Sequence, residues 1–395
     1  HRVDPLNPPG HARSRTEATQ SAVRSCESGA VSAGRVPRPI DWVGDVATPH
    51  IWVLDQTRLP GETVFLQVET IEQLLDAIGR LAVRGAPALG VAGAMGVALA
   101  AYTLDSDEQV ARAAAALRAA RPTAVNLARG VDLALAALPQ GREAVLAAAI
   151  GLRDSEIAAS TAMARRGADD LYRRVGASGQ ALRLMTICNT GALATVERGT
   201  ALAVIEQVMR DSRLKRVIAC ETRPLLQGAR LTAWELTQLG APFDLIVDAA
   251  AASVMARGLV DAVLVGADRI TANGDVVNKI GTFALALAAQ HAGIPLYAVA
   301  PESTVDLATA SGDHVEIEDR GAAEVVAFGG RPTAPVGTSA LNPAFDVTPA
   351  KLVTAIVTDR RVIDLGRGDL PTDPLPDGAG PAATPRTRSG EGAPA

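Results

Sequence analysis

Cysteine, histidine and aromatic residues are all scarce in this sequence. Its 395 residues include three cysteines and five histidines, and only 3% are Phe, Trp or Tyr. Cys26, Cys188 and Cys220 lie far apart without a CxxC pair, which argues against a disulfide framework and against a zinc site. No two histidines fall at metal-ligand spacing. We therefore expect a protein of the reducing cytoplasm without a metal site.

A strong excess of positive charge is also absent. Lys plus Arg total 38 and Asp plus Glu total 43, which gives a formal net charge of −5. This balance disfavours a general partner of nucleic acid or of an anionic membrane, but it is compatible with a local basic pocket for a small anion. With 48% hydrophobic and 21% charged residues, the composition is that of a globular chain.

Hydrophobic periodicity is missing at both ends of the chain. Residues 1–38 are rich in Arg, Ser, Gly and Pro, and residues 366–395 in Pro and Gly, so both are predicted to be disordered tails. The first tail has no apolar core of the signal-peptide type. Between the tails we predict a mainly helical N-terminal domain with a small β element over 39–175 and a Rossmann-like domain over 176–365.

The N-terminal domain is predicted from short strands and then from helical periodicity. Strands are predicted at 52–55 and 64–68, and helices at 71–81, 86–102, 108–119, 124–138 and 143–173. Residues 85–104 carry no charge and are long enough to cross a bilayer. They are dominated by Gly and Ala and begin near Pro87, so we predict a tightly packed buried helix instead.

The second domain shows five continuous apolar runs of strand length, at 182–188, 216–220, 243–247, 262–265 and 296–300. Continuous runs are typical of parallel strands that are covered on both faces. Helical spacing lies between them, as in Ala201, Val204, Ile205 and Val208, and again in Ile280, Phe283, Ala284 and Leu287. The alternation predicts an α/β fold with a doubly wound parallel sheet.

Polar or reactive residues follow each apolar run. They are, run by run, CNTG (188–191), ETRP (221–224), Asp248, GADR (266–269) and PEST (301–304). Ligands of open α/β sheets bind outside the carboxyl ends of the strands. These residues therefore mark the edge at which a functional site is expected.

Two of these residues could carry chemistry. Cys188 leaves a buried strand and enters a turn before a helix, whose N-terminus would stabilise a thiolate, or it is a buried structural cysteine. Asp268 leaves a central strand, where partial desolvation would raise the pKa of its carboxyl, or it is a cap or the salt-bridge partner of Arg269. Cys220 is predicted to be a core residue.

Two further segments point to an anion. Asn278 is a plausible N-cap beside Lys279, and the pair would form a phosphate site at a helix start, or an ordinary capped surface helix. Arg84, Gly85 and Ala86 precede Pro87 at the start of the small-residue helix, where Gly85 would allow close backbone approach to a ligand. No GxGxxG or GxxxxGK[ST] motif occurs in a suitable context, so no dinucleotide or nucleoside triphosphate site is indicated.

Several longer motifs occur in order along the chain. They are VRGAPALG (83–90), RPTAVNL (121–127), TICNTGALAT (186–195), ETRP (221–224) with LQGARLT (226–232), GADRI (266–270), NGD (273–275) with NKIGT (278–282), and NPAFDVTP (342–349). Together they resemble the S-methyl-5-thioribose-1-phosphate isomerase family of methionine salvage. That family is homologous to the regulatory subunits of the translation-initiation guanine-nucleotide exchange factor.

The resemblance implies an aldose–ketose isomerase that acts on a sugar phosphate, forms a homodimer, and needs neither a metal nor an organic cofactor. It implies catalytic residues at Cys188 and Asp268. It implies substrate contacts at Arg84, Gly85, Ala86, Arg121, Gln227, Asn278 and Lys279. The residue before the cysteine is often His in the family and is Ile187 here, which makes the expected pocket more apolar and argues against a proton relay at that position.

Two other functions remain open at this point. The first is isomerisation of a related pentose 1-phosphate, such as ribose 1,5-bisphosphate or 5-deoxyribose 1-phosphate, which differ from the methylthio sugar at C5. The second is a non-catalytic regulatory subunit of translation initiation, which would be expected to lack the Cys188 and Asp268 pair. The sequence does not choose between an enediol and a hydride-shift mechanism.

Overall fold

The computed structural model describes residues 34–44, 48–121, 124–176 and 179–376. Within them the chain forms a helical N-terminal part with a small antiparallel sheet, followed by a larger, mostly parallel sheet with helices on both faces. The predicted α/β class and the doubly wound sheet are confirmed. The boundary predicted at 175/176 falls just after a long helix that contacts both parts.

The small sheet is a three-stranded antiparallel meander, β1 (Ile40–Val43), β2 (His50–Leu54) and β3 (Phe65–Val68). The first of these strands was not predicted, because it lies at the edge of a segment without periodicity. Five helices follow: α1 (Ile71–Gly79), α2 (Ala86–Thr103), α3 (Asp107–Ala119), α4 (Val125–Leu135) and α5 (Arg142–Arg174). They confirm the predicted helices to within a few residues at each end.

Helix α2 is the central element of the N-terminal part. Every residue from 88 to 100 is buried, and although the helix is long and apolar enough to span a membrane, 72% of it is buried inside the protein. Helix α4 packs against it so closely that a Cβ added to Gly90 would lie 3.1 Å from the Asn126 carbonyl oxygen. The prediction of a tightly packed buried helix is confirmed, and the small residues explain the packing.

The second part contains the remaining strands. They are β4 (Leu182–Thr186), β5 (Leu214–Cys220), β6 (Phe243–Ile246), β7 (Ala262–Val265), β8 (Arg269–Thr271), β9 (Val276–Lys279), β10 (Leu296–Val299), β11 (Val305–Asp306), β12 (Ala327–Phe328), β13 (Arg331–Pro332), β14 (Phe345–Thr348), β15 (Ala355–Val357) and β16 (Val362–Ile363). The main helices among them are α6 (Ala201–Arg210), α7 (Ala233–Leu239), α8 (Ala251–Ala256), α9 (Thr282–Ala292) and α10 (Ala323–Val326). All five predicted apolar runs are strands.

The large sheet has seven strands in the order β16-β15-β10-β7-β4-β5-β6. All pairs are parallel except β15 with β16. From β4 the chain moves outward through β5 to β6, then returns to β7 on the other side of β4 and proceeds to β10 and β15. The order therefore reverses between β4 and β7, where Leu184 pairs with Ala262 and Met185 with Val263. Such a switch point opens a crevice at the carboxyl ends of the two strands.

A second, four-stranded sheet has the order β11-β8-β9-β14 and extends the site edge. It corrects one prediction: Asn278 and Lys279 end strand β9 and do not begin a helix. Helix α9 starts at Thr282 with Gly281 as its N-cap, because a positive φ of 104° at Gly281 turns the chain between strand and helix.

The apolar face predicted for that helix is also different. Ile280 precedes helix α9, and Phe283 and Leu287 are 37% and 46% exposed. The buried side instead carries Leu285 and Ala286, with Thr282 and Ala289. The period was read correctly, but the face that contacts the sheet is the other one.

The folded part reaches beyond the limits predicted for the tails. Val36 is buried among apolar side chains, and the amide of Gly34 donates to the Gln238 carbonyl. At the other end, Arg361 donates to the carbonyl oxygens of Pro371 and Asp373. The rest of both predicted tails, 1–33 and 377–395, lies outside the described residues, as does Cys26.

Candidate active site

Cys188 lies just beyond the carboxyl end of β4 and is buried with 9% exposure. Its φ of 64° turns the chain sharply out of the sheet. Its N–H donates to Thr222 Oγ1 at 2.8 Å, and its carbonyl accepts from Thr232 Oγ1 at 2.6 Å. Threonine hydroxyls from two different elements thus bind the peptide groups on both sides of the Cys188 Cα.

The helix predicted to follow Cys188 begins later than expected. A single 3-10 turn, Ala192–Ala194, comes first, and α6 starts at Ala201. The amides of Thr200 and Leu202 donate to the Thr190 carbonyl, at 2.8 and 3.4 Å. The start of α6 is therefore packed against the loop after Cys188, and these amides do not face the thiol.

Asp268 lies beyond β7, the neighbour of β4, and begins no helix. Its N–H donates to the Val277 carbonyl, while Arg269 pairs with Asp306 at 2.9 Å. Neither the capping role nor the salt bridge to Arg269 is found, and the described residues offer its carboxylate no hydrogen bond. Asp268 is exposed to solvent, yet the protein packed around its carboxyl raises its pKa by desolvation.

Three cations surround that carboxyl and act against desolvation. Lys279, Arg84 and Arg121 each lower the pKa of Asp268 through their positive charge. Burial lowers the pKa of Arg121, and the like charge of Arg84 adds to this effect. Arg84 Nη1 is buried and has no hydrogen-bond partner among the described residues. Neither arginine forms a salt bridge among the described residues, and two guanidinium groups that repel one another form a site suited to an anion.

Gly85 and Ala86 lie at the start of helix α2. Gly85 is its N-cap with φ 93°, and no side chain caps the helix, which leaves its first amides directed at the site. A Cβ at Gly85 would overlap the carbonyl of Ala194. The Arg84–Gly85 turn therefore lies directly against the end of the loop that begins at Cys188.

Gln227 and Asn278 present buried amide groups to the same edge of the sheet. Gln227 is 4% exposed, and its Oε1 has no partner in the part of the chain that the structure describes. Asn278 Nδ2 donates to Thr282 Oγ1 at 2.9 Å. A Cβ at Gly266 would come within 3.1 Å of Thr190 and 3.8 Å of Asn278, so strand β9 and the loop after β4 meet beside the start of the Asp268 turn.

The N-cap role predicted for Asn278 is wrong, because another side chain caps helix α9. Asp346 Oδ2 accepts from the amides of Gly281 and Phe283, at 2.7 and 3.2 Å, and so caps α9 itself. Lys279 Nζ donates to the Ala344 carbonyl at 2.8 Å and lies 4.6 Å from the centre of the Phe345 ring. Lys279 contributes its charge to the site, but the helix amides are already occupied.

Ile187 and Cys220 are both core residues. Ile187 is 1% exposed, and a Cβ at Gly281 would lie 2.8 Å from its Cδ1, so the position before Cys188 is apolar and closely packed. Cys220 is fully buried at the end of β5, and burial together with the charges of Asp248 and Glu221 raises the pKa of its thiol to about 12. Its predicted role as a core residue is confirmed.

Three residues that hold this site together were given no individual role from the sequence, although Thr222 and Asp248 belong to the segments predicted to mark its edge. Thr222 and Asp248 follow strands β5 and β6: Asp248 accepts from the amides of Thr222 and Arg223, at 2.8 and 2.7 Å. Glu235 lies on α7, and its carboxylate contacts the loop after Cys188. In the sequence, the burial of Glu235 is indicated only by its position four residues after Leu231, which places both residues on one face of a helix.

The chain is similar over most of its length to known proteins. The profile of the Initiation factor 2 subunit family matches residues 82–364. The chain belongs to this family.

Three curated proteins are about half identical to the chain. A protein of Nocardia farcinica (strain IFM 10152) named probable bifunctional methylthioribose-1-phosphate isomerase/methylthioribulose-1-phosphate dehydratase is 51% identical, over 84% of this chain and 60% of its own length. A 5-deoxyribose 1-phosphate isomerase of Moorella thermoacetica (strain ATCC 39073 / JCM 9320) is 48% identical, over 82% and 93%. A methylthioribose-1-phosphate isomerase of Anaeromyxobacter sp. (strain K) is 49% identical, over 81% and 92%.

Two solved structures share the fold over 83% of this chain. The 5-methylthioribose 1-phosphate isomerase of Pyrococcus horikoshii OT3 is 38% identical with a TM-score of 0.77, and 93% of its chain is covered. The translation initiation factor eIF-2B subunit delta of A. fulgidus is 40% identical with a TM-score of 0.76, and 96% of its chain is covered. The names of these similar proteins therefore divide between isomerases and an initiation factor.

Proposed function

We propose that this protein is an aldose–ketose isomerase that converts S-methyl-5-thio-α-D-ribose 1-phosphate to S-methyl-5-thio-D-ribulose 1-phosphate in methionine salvage. The observation that carries the proposal is the delivery of two groups to one switch point by the neighbouring strands β4 and β7: a thiol, and a carboxyl with a raised pKa and no hydrogen bond among the described residues. Relatives that the chain covers almost entirely bear the names of pentose 1-phosphate isomerases, which supports the same class of reaction.

The phosphate of the substrate needs a cationic site near the reacting carbons. Arg84 and Arg121 supply guanidinium groups, Lys279 adds a point charge, and the uncapped start of α2 at Gly85 and Ala86 supplies backbone amides. The start of α9 is no part of this site, because Asp346 occupies its amides. The unpartnered oxygen of Gln227 and the amide of Asn278 are placed to bind sugar hydroxyls.

The reaction then needs two groups that handle protons. The phosphate on C1 masks the aldehyde, so the ring must open with a proton delivered to the ring oxygen. A hydrogen must next pass from C2 to C1, either through an enediol or as a hydride. Asp268 takes the acid/base role, because a raised pKa brings a carboxyl closer to the working pH. Cys188 assists as a proton donor or by stabilising charge at the same carbons.

A second candidate is supported by the 5-deoxyribose 1-phosphate isomerase among the relatives. That sugar, like ribose 1,5-bisphosphate, differs from the methylthio sugar only at C5. The third reading, a non-catalytic regulatory subunit, draws on the name of the A. fulgidus structure. Both Cys188 and Asp268 are present and placed at one crevice edge, which favours an enzyme.

The test is turnover of three purified sugars, the methylthio, 5-deoxy and 1,5-bisphosphate compounds, by the purified protein. We expect the highest kcat/KM with the methylthio sugar. Equal or higher kcat/KM with a C5-deoxy or C5-phosphate sugar would displace the methylthio assignment, and no turnover of any of them would refute an isomerase. Deuterium from the solvent at C1 of the product would identify the enediol route.

Variants test the two catalytic assignments. Cys188→Ser and Asp268→Asn should each abolish turnover with an unchanged thermal unfolding midpoint. Cys220→Ala serves as a matched control, since Cys220 is also buried near a strand end but belongs to the core. Near-normal rates in either catalytic variant would refute the assignment of that residue.

A homodimer in the cytoplasm is part of the same proposal. The exposed Phe283 and Leu287 lie one turn apart on α9 and form an apolar strip that this chain leaves uncovered. Such a strip is typical of surfaces that pack against another subunit.

Two free thiols at Cys188 and Cys220, which do not pair, agree with a reducing compartment.

A further inference from the structure

Glu235 is a buried carboxylate behind the loop that follows Cys188. It is 1% exposed and accepts three hydrogen bonds from that loop. Asn189 Nδ2 donates to Oε1 at 2.8 Å, the amide of Ala192 to Oε2 at 2.7 Å, and the amide of Leu193 to Oε1 at 3.2 Å. All three partners are donors, so the site is built for an acceptor on both oxygens.

The loop after Cys188 packs directly against the Glu235 carboxylate. A Cβ added to Gly191 would overlap the Glu235 carboxylate, so the backbone curves directly around the charged group. Thr232, one turn before Glu235 on the same helical segment, donates to the carbonyl of Cys188 and accepts from Asn189. One helical face thus holds the loop from its first residue to the 3-10 turn.

The two ends of residues 188–194 belong to different parts of the proposed site. The first end carries the thiol of Cys188. The last end packs against Gly85, where a Cβ would overlap the Ala194 carbonyl, and Leu193 is further held by Gln56 Nε2 at 2.8 Å. The shape of this loop therefore sets where the thiol lies relative to the Arg84–Gly85 turn.

We infer that Glu235 is a positioning residue for Cys188: its carboxylate holds residues 188–194 in the shape that places the thiol beside the anion-binding turn at Arg84 and Gly85. The role in turnover rests on the proposed function, but the placement of the thiol does not. The sequence comparisons and the family resemblance assign no role to this residue.

The charge on Glu235 is essential to this role, because a protonated carboxyl would direct one O–H against an N–H donor. Its pKa is raised to about 7: burial is the main cause and the negative charge of Glu206 adds to it, while the three hydrogen bonds lower the pKa and offset part of the rise. The charged groups that line the small cavity behind it are Arg35, Glu197, Arg198, Glu206 and Arg210. Arg198 and Arg210 both pair with Glu206, so neither pairs with Glu235.

The experiment compares Glu235→Gln with Glu206→Gln in the full chain. Both changes replace a buried carboxylate beside the same cavity by its neutral isostere, but the hydrogen bonds of Glu206 go to Arg198 and Arg210 and not to the loop. Two quantities are measured between about pH 5.5 and 8.5: kcat with the best sugar substrate, and the rate at which iodoacetamide alkylates Cys188, followed by peptide mass spectrometry. The second quantity needs no substrate.

In Glu235→Gln we expect kcat to fall about 100-fold, the cost of displacing a reacting group by roughly 1 Å. We expect alkylation of Cys188 to become about 10-fold faster, because a loosened loop exposes a thiol that is now buried. Glu206→Gln should leave both within about 3-fold of wild type. Wild type and Glu206→Gln should both lose kcat as pH falls through the pKa of Glu235, and the fall should lie at lower pH in Glu206→Gln.

If Glu235→Gln does not fold, the wild-type protein still decides. Below the pKa of a thiol, its alkylation rate rises about 10-fold per pH unit, because the thiolate is the reacting form. If protonation of Glu235 loosens the loop, the thiol becomes more accessible below about pH 7, and the rate there rises less steeply with pH. A uniform slope in wild type, or unchanged alkylation in folded Glu235→Gln, overturns the inference. Altered alkylation in a protein that turns over no sugar would refute the proposed function and leave the positioning role standing.

Discussion

The hydroxyl of Thr222 accepts a hydrogen bond from the backbone N–H of Cys188 at 2.8 Å and donates its own proton to the Cys220 carbonyl at 3.1 Å. Cys188 and Thr222 leave the adjacent strands β4 and β5, and both have a positive φ, 64° and 65°. Residues with a side chain rarely adopt this conformation, and they keep it where surrounding contacts determine it. Thr222 is therefore one of the contacts that fix the turn carrying the thiol.

Thr222→Val keeps the shape of the side chain and removes both hydrogen bonds. The buried amide of Cys188 loses its acceptor, which costs about 1–3 kcal/mol of folding free energy, and the thiol moves away from its position. We expect kcat to fall about 10- to 100-fold, because misplaced reacting groups are costly. Thr222→Ser keeps the hydroxyl and is the matched control. Steady-state kinetics check this, and equal kcat in the two variants would contradict it.

Lys279 should control the pH dependence through Asp268. The positive charge of Lys279 lowers the pKa of Asp268, so Lys279→Met is expected to raise it. Asp268 as a base must be ionised, and activity is lost as pH falls through its pKa. The acid limb of kcat/KM, which reports the free enzyme, should therefore move to higher pH in Lys279→Met.

The control for this shift is Lys351→Met, which removes an exposed lysine that is not among the charges acting on Asp268. The phosphate of the substrate titrates equally in both variants, so it cancels in the comparison. An acid limb that stays in place in Lys279→Met, or moves to lower pH, would show that Lys279 does not act on the group that titrates.

The carboxyl-edge rule predicted much of the site from the sequence. Apolar runs identify buried parallel strands, and the residues that follow them must lie at one edge, so Cys188 and Asp268 could be placed there without a structure. Their adjacency depends on the reversal of strand order between β4 and β7. The reversal depends on which face of the sheet each connecting helix crosses, and no local pattern in the sequence encodes this choice.

The contacts that hold the site could not be predicted for the same reason. Asp346 follows the NPAF sequence near the end of the chain, yet it caps helix α9 because β14 pairs with β9, with Asp346 opposite Asn278. Local reasoning placed a cap at Asn278, the nearest suitable side chain in sequence. Pairing between distant strands replaced it with a carboxylate from another element.

Asp346 should also make stability depend on pH. Burial raises the pKa of its carboxyl from 3.8 to about 6, and the amides of Gly281 and Phe283 only partly offset this. The folded state therefore binds this proton more tightly than the unfolded state. The contribution of Asp346 is fully present below about pH 4 and is lost as pH rises to about 6, by at most about 3 kcal/mol.

Asp346→Asn is neutral at every pH and keeps one oxygen to accept from the helix amides. We expect its free energy of unfolding, measured with urea between pH 4 and 7, to fall less than that of wild type over the same interval. Other groups titrate in both proteins, so the difference between the two curves isolates Asp346. Parallel curves would contradict the assignment.

The exposed strip on α9 tests the proposed homodimer. Replacing both Phe283 and Leu287 by Ser removes the apolar surface without touching the buried side of the helix, Leu285 and Ala286. We expect the variant to sediment as a monomer at concentrations where wild type is a dimer. Val125, which is 62% exposed on α4, provides a control through Val125→Ser. A dimeric double variant would place the interface elsewhere.

Gly85 is the position where a single methyl group should separate the two halves of the site. Gly85→Ala would place a Cβ against the Ala194 carbonyl in a backbone with φ 93°, so the Arg84–Gly85 turn must move away from residues 188–194. Gly293→Ala is the matched control: its φ is also positive, 68°, but nothing lies within 4 Å of the added Cβ. Gly293→Ala carries only the strain of a left-handed residue, about 1 kcal/mol. Gly85, with φ 93° and ψ 139°, lies in a region that is nearly restricted to glycine, so Gly85→Ala carries greater strain as well as the collision. In Gly293→Ala we expect a small decrease of the thermal unfolding midpoint and a normal kcat/KM. In Gly85→Ala we expect kcat/KM to fall at least about 100-fold. Equal kcat/KM in the two alanine variants would mean that the contact between the anion-binding turn and the loop after Cys188 is not needed for turnover.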